Sequence, residues 1–167
     1  AYEKEHGVRP RIRLIAHSHG GNVVLNMAAL RQLYCTDLLI DELILLAVPV
    51  QKETKDYITS PLFGRIWSFS SSFDLIQRID PQGLHNGIFQ GSFFSQRYFE
   101  PAKNLIQARI VMRWRSIFHI EFFLKKFLTS LPDILDALDA WSREHENSWQ
   151  YIPCVRALDG VCRVTVS

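Results

Sequence analysis

The sequence predicts an α/β fold built on a mostly parallel sheet with flanking helices. Three observations predict it. Short apolar runs bounded by Gly, Pro or Ser alternate with helical or loop stretches. One of these runs, Glu42–Val48, is almost continuously apolar, as a strand covered on both faces would be. The first run passes through a tight turn directly into a helix-forming segment.

Taken in order, Ile12–Ala16 follows the Arg9-Pro10 break as a short apolar run interrupted by one Arg, and reads as the first strand. The Gly20-Gly21 pair leads into Asn22–Leu30, which suits a helix. Glu42–Val48, closed by Pro49, is the second strand. Gly64–Phe69 is the third, followed by a polar turn, Ser70-Ser71-Ser72, before Phe73-Asp74. The Gly-, Ser- and Phe-rich stretch from Gly83 to Phe99 matches no regular element. Ile106–Met112 is the fourth strand, after which the pattern becomes helical. Glu121 and Lys125 are spaced as an i,i+4 pair, and Leu131, Leu135, Leu138 and Trp141 recur at helical intervals. Ser130-x-x-Asp133 with Pro132 in the first turn predicts a helix start. The expected organisation is a partial α/β domain over residues 1–145 and a tail over 146–167. An Asp159-Gly160 turn between two short apolar runs would fold that tail as a hairpin outside the main sheet.

A chain of 167 residues with 47% hydrophobic content has material for one well-buried core. Nineteen Lys and Arg against 17 Asp and Glu leave a formal charge of +2, which gives no bulk footprint for nucleic acid or an anionic membrane. The three cysteines, Cys35, Cys154 and Cys162, are widely spread and odd in number, which argues against a disulfide framework or a zinc site and favours a reducing compartment. The charged N-terminal residues do not form a signal peptide, and no apolar run has the length of a membrane span. Without an initiator Met, the chain is expected to begin part-way through a larger protein.

Ala16-His17-Ser18-His19-Gly20 is the most informative stretch. A nucleophilic serine must be lifted clear of a sheet on a sharp strand-to-helix turn, with small residues two before and two after it. Ala16 and Gly20 occupy those positions, and a strand and an apolar helix flank the turn. The motif resembles the G-x-S-x-G nucleophile elbow of the α/β-hydrolase superfamily with Ala for the first Gly, a variant that occurs among bacterial lipases. The resemblance covers about Arg11 to Trp141 and is loose beyond the elbow.

In that superfamily the nucleophile follows the fifth strand, the acid the seventh, and the histidine lies after the eighth. The resemblance therefore implies that this chain is the C-terminal half of such a fold, strands five to eight. Ser18 is then the nucleophile, Asp74 the acid that fixes the imidazole tautomer, and His119 the general base. The backbone N–H of His19 is implied as one oxyanion-hole donor. Strands one to four, and the loop that supplies the second donor, would be absent from this chain. Ile12–Ala16 would be left as a sheet edge that invites self-association.

Other residues compete with these for a role. His17 and His19 flank the nucleophile, but on an elbow they point apart and have no carboxylate or thiolate nearby in sequence, so no metal site is expected. His85 lies in the Gly-rich stretch and His145 beyond the expected catalytic loop. Asp80 is the rival acid, although its place before Pro81 suits a turn former. The aromatic residues Phe89, Phe93, Phe94, Tyr98 and Phe99 suit either a wall over the site or ordinary packing. The expected function is a serine hydrolase that cleaves a small-molecule or lipid-like carboxylic ester through an acyl-enzyme, with no cofactor. Thioester, amide or acyl-transfer chemistry on the same triad, or a non-catalytic binding domain, are the alternatives.

Overall fold

The computed structural model describes residues 2–34, 37–72, 98–112, 115–157 and 164–167. A five-residue helix α1 (Tyr2–His6) precedes strand β1 (Arg13–His17), which runs through Ser18 into helix α2 (His19–Tyr34). Strands β2 (Ile40–Leu46), β3 (Phe63–Ser70) and β4 (Leu105–Met112) follow. A short β5 (Arg115–Ser116) and a 3₁₀ turn (His119–Phe123) lead into helix α3 (Lys125–Glu144). Strands β6 (Cys154–Ala157) and β7 (Val164–Val166) complete the described elements.

These strands form one mixed sheet in the order β1-β2-β3-β4-β6-β7, with β5 folded back antiparallel on β4. The pairs β1–β2, β2–β3, β3–β4 and β4–β6 are all parallel, and only β5 and β7 run the other way. The fold is therefore α/β with a mostly parallel sheet, as the alternation of strand-like and helix-like runs requires.

The register explains why the central strands are apolar on both sides. Ile15, Ile44, Trp67 and Ile106 align across four strands and face α3, and Ile44, Trp67 and Ile106 share one core with its Phe127, Leu131, Ile134, Leu135 and Leu138. The neighbouring row begins Ala16 and Leu45 and faces α2, whose Leu25 and Ala28 share the second core with Leu43, Ile66 and Val48. Each fully buried Leu or Ile in these layers contributes about 1.5–3 kcal/mol relative to exposure. Ile15, at the sheet's margin, is 49% exposed. Among the described residues, β1 pairs with β2 alone. The Asp41 carboxylate ties down the approach to β1 by accepting the Ile12 N–H (2.7 Å) and the Arg9 guanidinium. These two bonds, the backbone one first, hold that carboxyl below its usual range.

Four expectations are corrected. Helix α3 starts at Lys125, so Ser130 and Pro132 do not open it. Pro132 lies inside it, where the missing N–H leaves the Leu128 carbonyl without its helical donor. Glu121 precedes the helix in the 3₁₀ turn and pairs with Arg115 rather than forming a helical pair with Lys125. The tail does not lie outside the main sheet, because β6 pairs with β4 and β7 with β6. The apolar positions Val155 and Ala157 let β6 complete the core under α3. The crowded glycine of the elbow is Gly21, not Gly20. A Cβ on Gly20 meets nothing within 4 Å, whereas one on Gly21 would lie 2.3 Å from Val48 Cγ2 and 3.0 Å from its Cβ. The first turn of α2 thus rests directly on the chain leaving β2, and only a glycine permits that approach. No helix among the described residues is long and apolar enough to cross a membrane.

Candidate active site

The carboxyl ends of the parallel strands lie along one edge of the sheet, the edge at which open α/β sheets place their ligands. Ser18 sits there, between the last residue of β1 and the first of α2, with φ of +52°. A serine in the left-handed region costs of order 1–3 kcal/mol, and surrounding bonds must hold it there. The Ser18 N–H donates to the Leu46 carbonyl (2.9 Å), and the Ser18 carbonyl accepts the Gly21 N–H (3.0 Å). The elbow is thereby fastened both to the end of β2 and to its own helix. Ala47, immediately after β2, is left-handed as well (φ +52°), with its N–H donated to the Phe69 carbonyl of β3.

His19 is the first residue of α2, so its backbone N–H belongs to the first helical turn, whose amides have no partner four residues back. Such amides favour developing negative charge, which is what an oxyanion donor needs. The His19 ring lies 3.4 Å (Nδ1) from Gln51 Nε2 on the loop after β2. Deeper in the same helix, Asn22 Nδ2 donates to the Pro49 carbonyl and Asn22 Oδ1 accepts from the Thr54 hydroxyl, a buried pair of bonds that pins this loop to α2.

His119 is 102 residues from His17 in the chain, yet the two are in contact. His17 Nε2 lies 3.1 Å from the His119 carbonyl oxygen, and the rings are 4.7 Å apart at 48°. The Phe123 ring also lies near, 6.0 Å from His17. The structure therefore brings His119 against the residue adjoining Ser18. His17 and His19 engage different loops, so they do not converge on a common point. Among the described residues, no group of three His, Cys, Asp or Glu could hold a metal ion.

Two contacts that the sequence did not signal hold the His119 turn in place. The Ser71 hydroxyl, buried at the end of β3, donates to the Ile117 carbonyl (2.5 Å). Glu121 takes Arg115 in a two-pronged pair (2.7 and 2.8 Å) and also accepts the Phe118 N–H (2.7 Å). Ser71 was legible only as part of a polar turn, and Glu121 only as a helical charge. The Arg115 bonds are the main reason that the Glu121 carboxyl lies below its usual range, with burial opposing them. A carboxyl lowered by folding contributes stability above its unfolded value, and that contribution is lost as pH falls through the lower folded value. The turn should therefore hold above the ordinary glutamate range and loosen as pH falls below it. The Phe118 amide proton shift, followed by NMR, should show this inflection in the native protein and lose it in Glu121→Gln.

Asp74, Asp80 and His85 lie outside the described residues, as do Phe89, Phe93 and Phe94. Tyr98 is half-buried, and Phe99 is buried, its backbone N–H and carbonyl both bonded to the Gln107 side chain. Phe99 thus belongs to the core beneath α2 and not to a wall over the site.

Comparison with protein-family models, curated proteins and solved structures found no match.

Proposed function

We propose that the chain is a serine hydrolase of α/β-hydrolase type that cleaves carboxylic esters. The observation that carries this reading is the left-handed Ser18, held at a strand-to-helix turn whose preceding residue packs against His119. The order along the chain supports it: Ser18 follows β1, Asp74 comes after β3 in sequence, and His119 follows β4 and β5.

In this reading Ser18 Oγ attacks the ester carbonyl carbon while the His119 imidazole takes its proton. The carbonyl oxygen becomes an oxyanion stabilised by the His19 N–H at the start of α2. Collapse of the tetrahedral intermediate breaks the ester C–O bond, and the imidazolium returns the proton to the leaving alcohol. A water molecule, deprotonated by the same imidazole, then releases the acid and restores Ser18. Asp74 orients the imidazole through its carboxylate. His17, bonded to the main chain of the base, positions it.

The test is a fluorophosphonate probe followed by peptide mass spectrometry. Ser18 should be the labelled residue, and His119→Ala should slow labelling by about 10²-fold or more. Absence of label on Ser18 in the folded protein, or label on a different serine, would overturn the reading and leave a binding domain. Parallel assays on matched ester, thioester and amide substrates then fix which bond is cleaved.

A further inference from the structure

We infer that the turn carrying His119 is a docking surface for an anionic lipid bilayer. The 3₁₀ turn His119–Phe123 has a period of three residues, which sorts its side chains into ridges. His119 and Phe122 form the inward ridge, with Phe122 fully buried. Ile120 and Phe123 form another, and both are 66% exposed. Phe118 and Leu124 flank the turn at 54% and 49% exposure. Four large apolar side chains within seven consecutive residues thus project from a segment that Ser71 and Glu121 hold rigid. A single exposed leucine needs no explanation, but a contiguous apolar group of this kind marks an interaction site.

Charge selects the occupant. Lys125 and Lys126 follow the apolar residues directly and are exposed, and Arg115 stacks its guanidinium over Phe118 at 5.2 Å. Glu121 is the one acid from Arg115 to Lys126, and Arg115 already neutralises it. The net charge of +2 is unremarkable for the chain as a whole, but here bases collect around an apolar protrusion. Aromatic and aliphatic side chains beside lysines suit the boundary between acyl chains and anionic headgroups. A protein partner with an acidic rim is the outcome that the test must separate from this one. The docking stands on the exposed residues alone. The further step, that such a bilayer delivers lipid esters to Ser18, rests on the hydrolase reading.

Co-sedimentation with large unilamellar vesicles tests it, using the whole chain and, in parallel, its Ser18→Ala variant. Both should bind vesicles of phosphatidylcholine with about one-third phosphatidylserine, and both should bind pure phosphatidylcholine at least tenfold more weakly. The double variant Ile120→Ser/Leu124→Ser should lose about tenfold or more, and Lys125→Gln should lose roughly fivefold at low salt, the weight of one surface lysine. Circular dichroism and thermal midpoints confirm that the variants are folded. Lack of binding to anionic vesicles, or binding indifferent to both sets of substitutions, overturns the inference. Because the readout is capture and not turnover, a dead Ser18 leaves it intact, and a failed hydrolase reading is recognised separately by the probe experiment.

Discussion

Ser18→Ala should fold normally and lose ester turnover by about 10⁴ to 10⁶-fold, with a residual rate from the oxyanion donor and substrate binding. Folding is expected to survive because the backbone does not change its demand. Ala47 holds φ of +52° in this same protein, so an alanine can occupy the left-handed elbow. His119→Ala should cost nearly as much, and the double variant little more than either single one, because a nucleophile without its base and a base without its nucleophile are equally idle. Independent, additive losses from the two substitutions would show that Ser18 and His119 do not act as a unit. A fall of less than tenfold in Ser18→Ala would show that ester cleavage occurs elsewhere.

The second large effect concerns the acid. Asp74→Asn should leave the protein folded and lower turnover by up to ~10⁴, since an amide at this place favours the wrong imidazole tautomer. Asp80→Asn should cost little, because an asparagine before Pro81 keeps most of the hydrogen bonding of a turn. The two substitutions remove the same charge at nearly constant shape, six positions apart, so a general electrostatic effect would appear in both. Asp74 is placed by its distance along the chain from the end of β3 at Ser70, and the kinetic pair decides whether that placement is right. If Asp80→Asn is the impaired variant, the acid is reassigned; if neither is impaired, the triad fails.

What the sequence conveyed, it conveyed through periodicity and local chemistry. Glu42–Val48 announced a doubly covered strand because both faces of β2 meet helices, and the turn at Ser18 was announced by the small residues Ala16, Gly20 and Gly21 spaced around it in the sequence. The strand boundaries shifted by a residue or two and the helix ends by three to five, as expected where hydrogen bonds rather than hydropathy end an element. Non-local contacts were not legible. Nothing near His17 in the chain indicates that its ring will meet a histidine 102 residues away, and nothing in Ser70-Ser71-Ser72 indicates that Ser71 will fasten the turn bearing that histidine. Pro132 misled because proline is commonest in a first helical turn, whereas here packing of Phe127 and Leu131 extends the helix ahead of it. The tail misled in a similar way: Asp159-Gly160 encodes a reversal, but pairing of Cys154–Ala157 with Arg109–Met112 is a tertiary choice.

Among the described residues, the strand that presents Ser18 stands at the margin of the sheet, supported on one side by β2. In mechanical terms it is a cantilever. Its alignment depends on five paired positions, Arg13 with Glu42 through His17 with Leu46, and on the bond from Ser18 to the Leu46 carbonyl at its tip. His119 is carried by a separate support, anchored through Ser71 at the far end of β3. The Ser18 turn and the His119 turn are thus carried by different strands, one by β1 against β2 and the other through Ser71 after β3, and they meet where His17 contacts His119. A small tilt of β1 leaves every residue of the site intact and still displaces the Ser18 hydroxyl. Gly21 against Val48 acts as the stop that limits this tilt, so a packing contact with no chemistry of its own sets how far the Ser18 turn can move.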